Sequence, residues 1–171
     1  MSGVAVRRAT EAEFAAVGRL TVAAYDNDGQ LKGENAYAVT LADVASRATD
    51  GEVLVAVDEA TGALLGSVTF VLAGTAYAEI SAPGEAEFRM LAVDPAAQGR
   101  GAGGALVRAC LSRAAEQGCT AVAICVRDGL AATARGMYER LGFVRVPERD
   151  WSPAPGITLL GLRLEFPATA A

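Results

Sequence analysis

The stretch EFRMLAVDPAAQGRGAGG, residues 87–104, decides the fold of this chain. Its first part, Glu87–Val93, is rich in apolar side chains and predicts a β-strand that an Asp-Pro dipeptide ends. A glycine-rich loop, Gln98–Gly104, follows, and a helical pattern covers about Gly101–Gln117. Glycines let successive backbone N–H groups converge on one point, and a helix N-terminus adds unpaired donors. The stretch therefore predicts a cradle for an anionic group such as a pyrophosphate.

A second central strand is predicted at Ala121–Val126, where an uninterrupted apolar run suits a strand covered on both faces. Strand, loop, helix and strand in this order predict an α/β or α+β sheet with a parallel pair in its middle. The other predicted elements are a strand at Val4–Val6, a helix over Phe14–Ala24 opened by a Thr10–Glu13 capping box, a loop at 26–35, a helix over Ala38–Ala48, a hairpin of Val53–Val57 and Leu64–Leu72, a loop at 74–84, a short helix over Ala134–Leu141, and final strands at Phe143–Val146 and Ile157–Phe166 around a proline-rich bend.

Missing residue types exclude several chemistries. The 171 residues contain no histidine, which excludes Ser-His-Asp and Cys-His catalysis and His-ligated zinc. Lys32 is the single lysine, so a pyridoxal-phosphate Schiff base would depend on a residue in a polar loop. A formal net charge of −5 argues against coating nucleic-acid phosphates or anionic lipid. We expect no nucleic-acid, membrane or metal partner.

The cysteines and the N-terminus indicate a cytoplasmic protein. Cys110, Cys119 and Cys125 are odd in number and lack Cys-x-x-Cys spacing, which predicts reduced thiols rather than disulfides or a metal site. The first ten residues contain no apolar signal-peptide core, and no window is apolar over the length of a membrane span.

Two families of phosphate-binding loop compete for the glycine-rich segment. Gly99, Gly101 and Gly104 satisfy the dinucleotide pattern G-x-G-x-x-G. That pattern should follow directly from a first strand, with an acidic residue about 20 positions later. Here five residues intervene after the strand, and the later position is Ile124, within an apolar run. The context therefore argues against a dinucleotide fold.

The second pattern is Gln/Arg-x-x-Gly-x-Gly/Ala, which Gln98, Gly101 and Gly103 match position by position. With the later motif Tyr138–Phe143, YERLGF, this chain resembles the GCN5-related N-acetyltransferase (GNAT) superfamily. The resemblance implies that residues 1–171 form a single GNAT-like domain. Its central sheet would be mixed and mostly antiparallel, with a splayed parallel strand pair, flanked by about four helices.

The resemblance also implies acetyl-CoA as co-substrate, without a metal. It would insert between the strands Glu87–Val93 and Ala121–Val126, with its pantetheine arm along the backbone of Leu91 and Val93. The pyrophosphate would lie on the loop amides. The implied loop residues are Gln98, Gly99, Arg100, Gly101, Ala102, Gly103 and Gly104.

Two catalytic side chains are implied by the same resemblance. Glu87 occupies the position of a glutamate base, with Glu85 or a water-mediated path as alternatives, and it could equally be a solvated strand charge. Tyr138 matches a tyrosine that protonates the leaving thiolate, although a tyrosine in an apolar helical stripe also suits the core. A backbone N–H near Leu91 would stabilise the oxyanion. One departure is Ala131, where many members have asparagine; Asp128 or Thr133 could substitute.

The predicted activity is transfer of the acetyl group to an amine of a small molecule or peptide by direct attack in a ternary complex. The alternative is a catalytically silent acyl-CoA-binding module. A homodimer is compatible with the sequence without being indicated by it. Candidates for the acceptor site are Asp26, Asp28, Glu34, Glu79, Glu85 and Trp151.

Overall fold

A computed structural model describes residues 3–32, 35–130 and 132–168. In these ranges, eight strands form one sheet in the order β1-β2-β3-β4-β5-β8-β6, with β7 also paired to β8. The strands are β1 Val4–Arg8, β2 Glu52–Asp58, β3 Leu64–Leu72, β4 Glu85–Val93, β5 Ala121–Arg127, β6 Val144–Arg145, β7 Trp151–Ala154 and β8 Ile157–Glu165. The helices are α1 Phe14–Asn27, α2 Asn35–Ala42, α3 Val44–Asp50, α4 Ala102–Glu116 and α5 Ala132–Leu141.

Helices cover both faces of this sheet, as strand β2 illustrates. Successive side chains of a strand point to opposite faces. Val53 and Val55 pack with Val17 of α1 and Val44 of α3. Leu54 and its neighbours of the same parity join a larger core that contains residues of α4 and α5. The strands are therefore apolar almost throughout, which is why their sequences show continuous rather than alternating hydrophobicity.

The centre of the sheet opens into a fork. Strands β4 and β5 pair in parallel only over Glu85–Glu87 and Ala121–Ala123, while every other neighbouring pair of strands in the described residues is antiparallel. Beyond the pair Glu87–Ala123 the two strands separate. On its other side β4 bulges against β3, because two residues, Met90 and Leu91, lie opposite one. Met90 has φ +57°, a conformation that is unusual for a side chain of its size.

The predicted fold class is confirmed, including the splayed parallel pair. The predicted single helix over Ala38–Ala48 is wrong in one respect, since two helices meet there at Asp43. Asp43 leaves the helical conformation, and its side chain accepts a hydrogen bond from the Ser46 backbone amide at 3.2 Å, which starts a new helix. The proline-rich bend also contains a strand, β7, that the sequence pattern did not indicate.

Candidate active site

The glycine-rich loop has the backbone geometry that an anion cradle requires. Gly99 and Gly101 have φ of +83° and +82°, which L side chains rarely adopt. A Cβ at either position would meet no atom of the described residues within 4 Å, so space remains in front of the loop. Gly101 is the N-cap of α4 and offers no side-chain acceptor to the amides of the first turn. These unpaired donors at a helix N-terminus fit a diphosphate.

A cleft that is open to solvent lies in front of this loop. Its walls include Leu91 and Val93 of β4 and most of the loop. The predicted loop residues on its surface are Gln98, Gly99, Gly101, Ala102, Gly103 and Gly104. The structure therefore brings eight of the nine predicted cofactor-binding residues together on one cleft.

The side chain of Arg100 faces a different direction. Its Nη2 donates to Asp58 Oδ2 at 2.7 Å, at the end of β2. Asp58 is buried, and its Oδ1 accepts backbone amides of the turn that follows. Arg100 therefore ties the loop to the neighbouring hairpin. A guanidinium that the sequence analysis missed, Arg140 of α5, lines the cleft instead, and its place within the YERLGF motif was the available signal.

A second cavity lies in the fork between β4 and β5. Its walls are Phe88 and Leu91 on one strand, Ile124 and Val126 on the other, and Tyr138. Leu91 also lines the cleft at the glycine-rich loop, so the two spaces adjoin. The opened strand edges thus face a cavity at the place where the sequence predicts the pantetheine arm.

Tyr138 lies at this cavity within an aromatic cluster. Its ring centroid is 5.8 Å from that of Phe88 and 5.7 Å from that of Phe143, and 5% of the residue is exposed. Burial raises the pKa of the Tyr138 hydroxyl well above its ordinary value, with a smaller contribution from Cys110. The hydroxyl therefore stays protonated at neutral pH, while its ring contributes to the core.

Glu87 lies at the closed end of the fork and is fully buried. Its Oε1 accepts hydrogen bonds from the amides of Glu79, Ile80 and Ser81 at 3.0, 3.1 and 3.0 Å and from the Ser81 hydroxyl at 2.8 Å. Its Oε2 accepts from the Glu79 amide at 3.1 Å. This geometry does not favour Glu87 as a direct base, because the carboxylate already anchors the loop before β4.

Glu85, the alternative base, is also committed to internal contacts. Its carboxylate accepts hydrogen bonds from Arg149 at 2.6 Å, Arg163 at 2.7 Å and the Ala82 amide at 2.9 Å. Burial alone would raise the pKa of Glu85, but the hydrogen bonds from Arg149, Ala82 and Arg163 outweigh it and lower the pKa to about 2. A carboxylate with so low a pKa is a weak base.

A third cavity continues from the open end of the fork and contains a different carboxylate, Glu79. Its Oε1 lies 2.9 Å from Arg89 Nε. Burial raises the pKa of Glu79, Arg89 opposes this, and Glu87 adds to it. The remaining wall residues of this cavity are Tyr25, Gln30, Tyr37, Met90, Cys125, Arg127, Pro153, Ile157 and Leu159.

The other acceptor candidates have separate locations. Asp28 lines the fork and the cleft, whereas Asp26 is exposed. Trp151 is half-buried in β7. Glu34 and Ala131 lie outside the described residues. The arginines of the third cavity escaped the sequence analysis, although a charged residue inside an otherwise apolar strand, as at Arg89 and Arg127, was a usable signal.

Within the described ranges, no three His, Cys, Asp or Glu side chains cluster as metal ligands. The helices of the same ranges include none with the length and apolar character needed to cross a bilayer.

Solved structures with this architecture span nearly the whole chain. A histone acetyltransferase HPA2 and related acetyltransferase from Corynebacterium glutamicum has a TM-score of 0.74 at 23% identity, covering 99% of this chain and 100% of its own. The structure of yncA from Salmonella typhimurium, with its cofactor acetyl-CoA, has a TM-score of 0.64 at 21% identity, covering 99% and 98%. The PaiA N-acetyltransferase from Thermoplasma acidophilum, in complex with coenzyme A, has a TM-score of 0.68 at 12% identity, covering 96% and 99%. At these identities the likeness shows the fold.

Sequence comparison identifies the family. Among curated proteins, none matches this chain significantly. The model of the acetyltransferase (GNAT) family matches residues 16–143, which include the fork, the glycine-rich loop and the YERLGF motif. This chain is therefore a member of the acetyltransferase (GNAT) family.

Proposed function

We propose that this protein is an N-acetyltransferase that transfers the acetyl group of acetyl-CoA to an amine by direct attack in a ternary complex, within one domain. One observation carries the proposal: the three cavities adjoin. Leu91 is shared by the cleft and the fork, and Met90 and Cys125 are shared by the fork and the third cavity. A cofactor and an acceptor entering from opposite ends would therefore meet at the bulge of β4.

The cofactor side uses backbone groups and the side chains of two arginines. The amides of Gln98–Gly104 and the N-terminus of α4 hold the diphosphate, and Arg140 adds a positive charge on the same cleft. The pantetheine arm lies along the freed edge of β4 at Leu91 and Val93, as an added strand would. Arg100 contributes its backbone to the loop, while its side chain holds the loop against Asp58.

The acceptor side supplies the base. Glu79 accepts the proton from the ammonium group, because burial raises its pKa above the ordinary value and the residue lines the third cavity. The predicted base Glu87 acts one step removed, since its hydrogen bonds to the amides of Glu79 and Ser81 fix the loop that carries Glu79. Glu87 is then a positioning residue.

Bond formation is completed at the fork. The amine nitrogen forms a bond to the acetyl carbonyl carbon as the carbon–sulfur bond breaks. Tyr138 lines this cavity, and its raised pKa keeps the phenol protonated until it donates its proton to the leaving sulfur. The nitrogen loses its second proton as the amide forms, and this proton restores the Tyr138 phenol through water. A backbone N–H at the β4 bulge near Leu91 stabilises the negative carbonyl oxygen.

The test measures release of free CoA thiol from acetyl-CoA with a panel of amino acids, polyamines, aryl amines and peptide N-termini. We expect one amine class to stimulate release, with a 42-dalton gain in mass of that amine. Calorimetry with acetyl-CoA runs in parallel. Tight binding of acetyl-CoA without turnover of any amine would instead identify a silent acyl-CoA-binding module and overturn the proposal.

A further inference from the structure

The third cavity carries more positive than negative charge. Glu79 is its carboxylate, whereas Arg89 and Arg127 each present a guanidinium. A site for a simple cationic amine would favour the opposite balance, because positive side chains repel an ammonium group. The charge pattern therefore indicates an acceptor with an anionic group as well as an amine.

Arg89 is already engaged by groups of the protein. Its Nε pairs with Glu79 Oε1 at 2.9 Å, its Nη1 donates to the Tyr77 carbonyl at 3.0 Å, and its Nη2 lies 3.4 Å from the Tyr37 hydroxyl. These contacts fix both Arg89 and Glu79 on one wall. The charge of Arg89 is largely offset by Glu79.

Arg127, at the end of β5, has no such counter-charge. Its Nη1 donates to the Gln30 carbonyl at 2.6 Å, and no carboxylate of the described residues lies within 4.0 Å of its guanidinium. A guanidinium has five N–H donors, so most remain for a ligand. Asp28 also borders the fork but not the third cavity, whereas Arg127 lines both.

Much of the remaining wall is apolar. Met90, Pro153, Ile157 and Leu159 line it, and Cys125 adds a thiol whose pKa burial raises to about 12. Such a wall favours an aliphatic side chain on the acceptor and gives it no further ionic partner.

We propose, building on the acetyl transfer above, that the acceptor is a small amino acid with a free carboxylate and an apolar side chain. Arg127 binds the carboxylate, Glu79 faces the amine, and the wall at Ile157 and Leu159 contacts the side chain. Planar guanidinium groups bind carboxylates through paired hydrogen bonds, which gives this site its specificity.

The experiment compares leucine and methionine with their methyl esters and with the amines that lack the carboxyl group. The amine of an ester is less basic than that of the free amino acid, so more of it is unprotonated and available for attack. A preference for the free acid therefore reports recognition of its carboxylate. We expect kcat/KM to favour the acids by about 10- to 100-fold, the range of a charge-assisted hydrogen bond. In Arg127→Gln this ratio falls to near one. Arg135→Gln, which removes a surface charge from α5 nearby, keeps it.

Calorimetry separates this inference from the proposed function. Leucine is titrated into the CoA-saturated protein, wild type and Arg127→Gln, independently of turnover. Carboxylate-dependent binding that is lost in Arg127→Gln supports the recognition even if no acetyl group moves. Any of three results would overturn it. The esters could be used as well as the acids, or the acid-to-ester ratio of kcat/KM could be unchanged in Arg127→Gln. The third is that leucine does not bind while another amine class is acetylated.

Discussion

The two ends of strand β4 contrast in what their polar groups do. At the closed end, Glu85 and Glu87 pair with β5 through the backbone. The carboxylate of Glu85 accepts hydrogen bonds from arginines, and that of Glu87 accepts them from loop amides. At the open end, from Phe88 onward, the strand borders cavities that contain Tyr138 and Arg89. Both acidic residues of β4 are therefore held in structural contacts at its closed end, whereas the residues of its open part border the cavities. The predictions below test this division.

The largest effect is expected at the glycine-rich loop, on the open side. Gly101→Glu should reduce acetyl-CoA affinity by 1,000-fold or more, about 4 kcal/mol, because it places a negative carboxylate where the diphosphate would lie and removes an αL glycine. Isothermal titration calorimetry with acetyl-CoA measures the change.

Gly74→Glu is the matched control for Gly101→Glu. Gly74 has φ +83°, a Cβ there would meet no described atom within 4 Å, and it lies in the loop after β3. Its substitution carries the same backbone strain away from the cleft. We expect its acetyl-CoA affinity to be unchanged, and retained affinity in Gly101→Glu would refute the loop assignment.

At the closed end, Glu85→Gln should lower the free energy of unfolding by about 3 kcal/mol, because it leaves Arg149 and Arg163 beside a neutral partner in a buried site. Urea denaturation measures it. Glu165→Gln is the control, since Glu165 contacts the same Arg163 at 3.3 Å but is 72% exposed, and its change should stay below about 0.5 kcal/mol.

The ion pairs of Glu85 with Arg149 and Arg163 also predict that the stability of the fold depends on pH. The folded-state pKa of Glu85 is about 2, below its ordinary value of 4.5. Its contribution to stability is therefore fully present above pH 4.5 and is lost as the pH falls toward 2. Stability of the wild type should decline more steeply over this window than that of Glu85→Gln, and parallel curves would contradict the ion-pair account.

Glu79→Gln should reduce kcat by about 100-fold, the usual contribution of a general base. In the wild type, kcat/KM should rise with pH as Glu79 deprotonates, and the variant should lose this rising limb of the pH profile.

Glu87→Gln is the comparison across the fork. It should lower stability by about 2 kcal/mol by disturbing charge-assisted bonds to the loop, while the pH limb remains. The reverse pattern would make Glu87 the base.

The smallest effect is expected at Tyr138. Tyr138→Phe should reduce kcat by about 10-fold, because water can replace the proton donor, and should leave acetyl-CoA affinity within a factor of about two. Stopped-flow or steady-state thiol assays and calorimetry measure the two quantities. Unchanged turnover would assign Tyr138 to packing against Phe88 and Phe143 alone.

Local signals were sufficient for most of the fold. The hairpin of β2 and β3, strands β4 and β5 and helix α4 follow from apolar runs bounded by Gly, Pro and Asp, and all are confirmed. The break at Asp43 was missed because helical periodicity continues across it while a side-chain cap restarts the helix. Strand β7 was missed because its pairing with β8 depends on a partner rather than on its own sequence.

The candidate site divides in the same way. The glycine loop is a local device, in which backbone conformation and a helix terminus are set by neighbouring residues, so its position on a cleft could be predicted. The third cavity is assembled from α1, α2, the loop before β4, β5 and the last strands. Charges on such distant segments acquire partners only in the folded chain, as Glu79 does with Arg89.

The sequence by itself determined the order of the elements, the glycine loop and the family motifs, because glycine conformation and hydrophobic period act between neighbours in the chain. Only the tertiary structure decided which carboxylates border a cavity and which are held by internal contacts. Glu85 and Glu87 are occupied by groups brought from residues 79–82, 149 and 163, while Glu79 and Arg127 face an open cavity. Burial and hydrogen-bond partners are properties of the assembled sheet, and they set the chemistry of a side chain.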